Sequence, residues 1–261
     1  FVSAWLAIRA RPDSADGSTI RINGDVVEVG KSVSSKTARR VAVVISLIVG
    51  VIFGSQFNAN WSEILLMFNA QSFGPTDPQF GLDNGFYVFV LPGLKLVLAA
   101  VAMLLGVGLV FSVVTHVLMG GIRITMPVNG RGLFSITKRC RRQLGIWLML
   151  NMFAWAVRQM IGVFDQLTVQ GSRITGASYT AVHANIPVTF IMAALTAILG
   201  VVLGIWLMRS HTLEGQASIG VRASAALKAW RVPVTSIAVV VVVGLVLTVA
   251  WPVLLQRFRV N

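Results

Sequence analysis

The chain has 261 residues, of which 56% are apolar and 12% charged, and its mean hydropathy is +0.79. A soluble domain carries roughly a quarter charged residues, so the composition excludes an ordinary water-facing fold and indicates an all-α, polytopic membrane bundle. The net charge of +13 has to be read against membrane topology before nucleic acid is invoked, and the single cysteine, Cys140, excludes a disulfide framework and any multi-cysteine metal site.

Phe1–Ile8 is apolar and runs straight into Arg9, whereas a signal peptide carries its charges before the apolar run. It reads as the last turns of a truncated first span. In the basic segment 10–40, Ile20-Arg21-Ile22 alternates, Asn23-Gly24 is a strong two-residue turn signal, and Val26–Val29 can return as a second strand. Such a hairpin lies on neighbouring loops or offers an edge to a cytoplasmic partner. The first full span is expected near Val41–Phe57.

Segment 58–90 is the most structured loop in the sequence. Asn60-Trp61-Ser62-Glu63 resembles a capped helix start, with Glu63 reaching back to the Asn60 amide. Trp61, Ile64, Leu65 and Phe68 then share a helical face suited to the membrane interface. Gly74-Pro75, Asp77-Pro78, Gly81 and Asp83-Asn84-Gly85 give successive turns, separated by Phe73, Phe80 and Phe86. An ordered cap is expected, with Asp77 and Asp83 accepting local backbone amides and Trp61 and Phe80 buried against the helices or an external domain.

Further full spans are expected near Leu96–Leu118, Leu144–Val163, Ile186–Met208 and Val232–Leu254, making five with the first. Each is long enough, or nearly so, to cross about 30 Å of hydrocarbon at about 1.5 Å per residue. Asn151, Arg158 and Asp165 recur every seven residues and so form one stripe along the third. A charge inside a span faces the bundle interior or snorkels. Arg158 therefore reads as a snorkelling anchor reaching Asp165 and lipid phosphate, or else as part of a polar path. Lys138-Arg139-Cys140-Arg141-Arg142 is the densest basic cluster and is expected to face anionic lipid of the inner leaflet.

Most of the 22 cations fall in segments 9–40, 119–142 and 209–231, alternating with cation-poor segments. The positive-inside rule then puts those loops in the cytoplasm and the C-terminal Asn261 outside. Topology thus accounts for the charge without nucleic acid. His116 and His183 fall at opposite membrane faces, so no metal site is expected. No phosphate loop, nucleophile elbow or zinc-protease pattern occurs, so neither a cofactor nor enzymatic activity is expected.

Phe73–Asp83, followed by Phe86-Tyr87-Val88-Phe89 and Leu91-Pro92, resembles the signature of uncharacterised protein family 0182, large membrane proteins typical of actinobacteria. Leu6–Pro12, His116–Arg123, Gly176–Thr180, Ile186-Pro187, Trp251-Pro252 and Gln256–Val260 are similar to further family blocks in the same order. The resemblance implies that this chain is the N-terminal membrane portion, with a large extracytoplasmic domain following residue 261. It departs from the family pattern at Gln143, Gln166-Leu167, Ala181 and Val188-Thr189. The family lends no established activity. The favoured expectation is a non-catalytic membrane module that anchors the extracytoplasmic domain and assembles with other membrane-protein subunits. A transporter or lipid-handling component is the alternative. An intramembrane enzyme using Arg158, Asp165 and His183 is the weakest.

Overall fold

The computed structural model describes residues 18–22, 25–29, 35–118, 122–124, 134–168, 176–209, 219–255 and 257. Strands β1 (Ser18–Ile22) and β2 (Asp25–Val29) pair antiparallel, with Ile20 opposite Val27 and Ile22 opposite Asp25. That is the hairpin the Asn23-Gly24 signal predicts. Helices α1 (Ser35–Ala59), α2 (Trp61–Phe68) and α3 (Leu91–Leu118) follow. A second small hairpin, β3 (Ile122–Ile124) with β4 (Phe134–Ile136), precedes α4 (Lys138–Gly162). The remaining helices are α5 (Ile186–Arg209), α6 (Ile219–Leu245) and the short α7 (Trp251–Leu255). The expected stub Phe1–Ile8 lies outside the described residues.

Among the described residues, four helical stretches are long and apolar enough to cross a membrane: Phe86–Leu118, Lys138–Leu167, Ala181–Arg209 and Trp230–Leu254. Helix α1 is long, but its apolar part, Arg40–Ser55, covers only about 24 Å at about 1.5 Å per residue. Among the described residues, α1 is therefore not one of the stretches that meet the length of a full span, and a count of five is not established.

One local device recurs. Three α-helices begin with an X-Pro pair, Leu91-Pro92, Ile186-Pro187 and Trp251-Pro252, and each directly follows a five-residue π turn. These are Phe86–Val90, Ala181–Asn185 and Val246–Ala250. The residue before each proline donates its amide to the carbonyl five residues back, at Phe86, Ala181 and Val246. Proline has no amide to donate, and its ring clashes with the carbonyl four residues back. The wider turn accommodates the ring without ending the helix. Pro233, which the sequence places at a span end, instead lies inside α6, because the helix runs back through Ile219.

The described residues fall into two compact units. The first comprises Phe1–Val51, Leu105–Met149 and Val202–Val234. Its core joins Ile136, Cys140 and Leu144 to Leu109, Ile122 and Leu207. Gly145 of α4 and Gly204 of α5 face each other so closely that a Cβ on Gly145 would lie 2.8 Å from the Gly204 carbonyl oxygen. Small residues at such a crossing let helix backbones approach. His116 is buried and its Nε2 lies 3.1 Å from Gln143 Oε1.

The second unit comprises Ile52–Leu104, Leu150–Val201 and Thr235–Asn261. Gly200 packs on Met152, and Gln159 donates to Thr196 at 3.3 Å. Gln166 and Thr189, two of the positions that depart from the family pattern, meet through a long hydrogen bond of 3.4 Å. By contrast, Gly50 and Gly54 of α1 have open space where a Cβ would stand.

The cap and the charged cavity as a candidate functional site

Every described element of this site belongs to the second unit. The cap starts with α2, whose orientation is set by Gly93. A Cβ there would meet the Glu63 carbonyl oxygen and the Met67 Cβ, each at 2.9 Å. Glu63, Ile64 and Met67 therefore face the protein, and Leu65, Leu66 and Phe68 are exposed. Trp61 is 59% exposed, so of the two places expected to bury it, the helices and an external domain, the helices do not. It sits on the opposite side of α2 from the Gly93 contact. The expected capping box is also absent, because Asn60 makes no side-chain cap bond and the Glu63 amide instead donates to the Asn60 backbone carbonyl at 3.2 Å.

Two carboxylates organise the turns that follow. Asp77 is buried, with 9% exposure, and accepts the amides of Gln79 at 2.7 Å, Phe80 at 3.1 Å and Leu82 at 3.4 Å. The Tyr87 hydroxyl donates to it at 2.8 Å. Removal from water works against its charge, but these four donors outweigh that and hold the carboxyl below its ordinary range. Asp83 accepts the Ser72 hydroxyl and the amides of Phe73 at 3.0 Å, Gly85 at 2.6 Å and Gly74 at 3.2 Å. The Ser72 hydroxyl first, then the Phe73 and Gly85 amides, pull its pKa down to about 2. The backbone closes the same loop: Thr76 bridges Asp83, and Asp77 donates to the Leu82 carbonyl at 2.8 Å. Gly74 and Gly81, with φ of 82° and 67°, occupy the left-handed conformation that these turns require.

The cap aromatics pack on protein more than the sequence suggests. Phe164, which sequence reasoning did not single out, is the hub. Its ring lies 5.0 Å from Phe80 and 5.4 Å from Phe86, both edge-on. Each such pair contributes about 0.5–1.5 kcal/mol beyond its buried area. Phe80 is half-buried against it, and Phe73 packs edge-on against Phe89 at 5.4 Å. Nothing in the local pattern around Phe164 distinguishes it from other span-end aromatics.

The stripe of Asn151, Arg158 and Asp165 is interrupted. Helix α4 ends at Gly162, and Asp165 lies in the 3-10 turn Phe164–Leu167. Asn151 is half-buried one turn and more below Arg158 and does not line the cavity that Arg158 and Asp165 share. Asp165 pairs with Lys95 of α3 at 2.8 Å, and Arg158 is not its partner. The pair is exposed, at 48% and 39%, so its contribution is small. Lys95 and Asp165, with Glu63 and Arg158, line a cavity of about 530 Å³ whose remaining walls are apolar, among them Leu96 and Ile161.

The basic cluster at the start of α4, in the other unit, is also redistributed. Arg141 and Cys140 are fully buried, and Lys138, Arg139 and Arg142 are exposed. A helix turn cannot show five consecutive residues to one medium. The patch available to anionic lipid is therefore smaller than the sequence implies. Among the described residues no group of three metal-ligating side chains converges. His183 Nδ1 donates locally, to the Tyr179 carbonyl at 3.1 Å, and its ring stacks on the Tyr179 ring.

The pattern of the Uncharacterised protein family (UPF0182) matches residues 1–261. A UPF0182 protein of Bifidobacterium adolescentis is 77% identical over the whole chain, one of Kocuria rhizophila 32% and one of Corynebacterium efficiens 27%. The chain spans 24% of the length of each of these relatives. No solved structure matches it.

Proposed function

The chain belongs to the Uncharacterised protein family UPF0182, and on that premise we propose that it is a non-catalytic membrane module that anchors an extracytoplasmic domain and assembles with other membrane-protein subunits. One observation carries the reading. Apolar side chains stand exposed along the helices, including Val101, Leu104 and Val110 on α3, Phe153 and Trp155 on α4, and Val239, Val241 and Val242 on α6. In a bilayer that surface meets lipid chains or other helices.

The positive-inside pattern supports a bacterial plasma membrane orientation with the basic loops in the cytoplasm. It also supports α1 as a fifth, shorter span, with bilayer thinning covering its deficit. On this reading the cap and the C-terminus lie outside, and the cap offers its exposed Trp61 and Phe73 to the external domain. Its hydrogen-bonded turns suit a rigid docking platform better than a reacting centre.

The test is gentle detergent extraction of the native protein, followed by identification of the subunits that stay with it. A reproducible set of membrane-protein partners is the expected result. A stable, solitary monomer would count against the proposal. The charged cavity favours a second reading, a lipid-handling component, because it joins charges to the apolar walls of membrane helices.

A further inference from the structure

The cavity lined by Glu63, Lys95, Arg158 and Asp165 contains one satisfied ion pair and two unsatisfied charges. Lys95 and Asp165 neutralise each other at 2.8 Å. Among the described residues, the Arg158 guanidinium and the Glu63 carboxylate have neither a hydrogen bond nor an ion pair, although both face the same space of about 530 Å³. A guanidinium is charged at every accessible pH and presents a planar fork of donors that matches a phosphate. Arg158 lies four residues before the end of α4, about 6 Å below it along the helix axis. Arg158 is exposed, and a guanidinium about one turn below the helix end reaches the headgroup level of a bilayer, where lipid phosphate is the abundant anion.

Two further features restrict the ligand. The walls come from apolar spanning helices, with Leu96 on α3 and Ile161 on α4, so the ligand brings apolar chains of its own. Glu63 supplies a second charge of opposite sign, which an anionic headgroup would not satisfy. We propose that this cavity binds the headgroup of an aminophospholipid, with its phosphate on the Arg158 guanidinium and its ammonium on the Glu63 carboxylate. The Lys95–Asp165 pair forms a neutral polar wall between the two helices. The acyl chains leave over the apolar surfaces of α3 and α4. This assignment stands apart from the anchoring role: a chain without subunit partners could still hold the lipid, and a chain without the lipid could still anchor.

The test uses the full chain, delipidated in detergent, with bound lipid read by native mass spectrometry and by the thermal midpoint. The probes are dioleoyl phosphatidylethanolamine, dioleoyl phosphatidylcholine, dioleoylglycerol and inorganic phosphate. The expected order is phosphatidylethanolamine above phosphatidylcholine, with dioleoylglycerol and inorganic phosphate inactive. The quaternary ammonium of phosphatidylcholine cannot donate a hydrogen bond to Glu63.

Arg158→Gln should weaken phosphatidylethanolamine binding about tenfold, the effect of losing one charge-assisted contact. Arg158→Lys should retain part of the affinity, and it reads the same contact if the glutamine variant fails to fold. Glu63→Gln should abolish the preference over phosphatidylcholine while both phospholipids still bind. Equal binding of inorganic phosphate would make this a free-anion site and overturn the proposal. So would equal binding of dioleoylglycerol, no preference between the two phospholipids, or unchanged binding in both Arg158 variants.

Discussion

The cap and the first turns of α4 each bury a charged side chain, and they surround it differently. In the cap, Asp77 takes three of its four donors from amides within five residues of itself. Tyr87, ten residues away, supplies the fourth. At the start of α4, Arg141 is fully buried, next in sequence to Cys140, whose core joins α4 to residues of α3, β3, β4 and α5. A carboxylate can be satisfied by the backbone it sits in, because a turn presents several amides to one point. A guanidinium carries its charge at the end of a long side chain, several bonds away from its own backbone. Its burial depends on the surrounding elements. The cap is thus a locally closed structure and the α4 start a tertiary one.

Substitutions should separate the two. Arg141→Ala should have the largest effect, a loss of about 3 kcal/mol, because it removes the largest fully buried side chain among the described residues and leaves a cavity among distant elements. Thermal or denaturant unfolding in detergent would measure it. The same experiment on Asp77→Ala should give about 2 kcal/mol, since buried amides lose a charged acceptor. Hydrogen exchange should show that loss confined to residues 72–87. Unfolding that spreads beyond the cap would break the distinction.

Acid sharpens the comparison without any mutation. Both cap carboxyls have folded pKa values below the ordinary 3.8, so their contribution is complete above that value and is lost as pH falls through the folded one. For Asp83 the window runs from about 3.8 down to about 2. Protection of the Phe73, Gly74 and Gly85 amides should fall across it. The Arg141 amide, bonded to the Thr137 carbonyl at 3.0 Å, should keep its protection there, because its acceptor is a backbone carbonyl that acid leaves unchanged. Parallel loss at both places would mean that the cap is not closed locally. The smallest effect is expected for Lys95→Ala, below about 1 kcal/mol in unfolding experiments, since its pair with Asp165 is exposed.

Much of the fold was legible along the chain. The apolar runs lie within helices α1 and α3–α6 or their continuation through Leu254. Asn23-Gly24 announced the β1–β2 hairpin. The turn residues at Gly74, Asp77, Gly81 and Asp83 announced the cap. The shorter hairpin β3–β4 escaped notice because its strands have only three residues each, too few for an alternating pattern. The candidate site was legible in part. Asp77 and Asp83 act within turns as the sequence suggests, whereas the direction of α2, and with it the exposure of Trp61, followed from the absent side chain of Gly93.

What the sequence determined by itself is what depends on neighbours a few residues away. Helix periodicity, two-residue turns, aspartates beside free amides and prolines demanding a widened turn all belong here. Only the tertiary structure decided which member of Lys138–Arg142 is buried, that Phe164 gathers Phe80 and Phe86, and that Gly145 meets Gly204. It also decided that Asp165 takes Lys95, seventy residues away in sequence, as its partner and not Arg158. The physical reason is that such contacts are selected by where separate helices cross and end. Composition and spacing constrain the helices themselves, but the choice among several equivalent arginines or phenylalanines is made by a surface that exists only after they have packed.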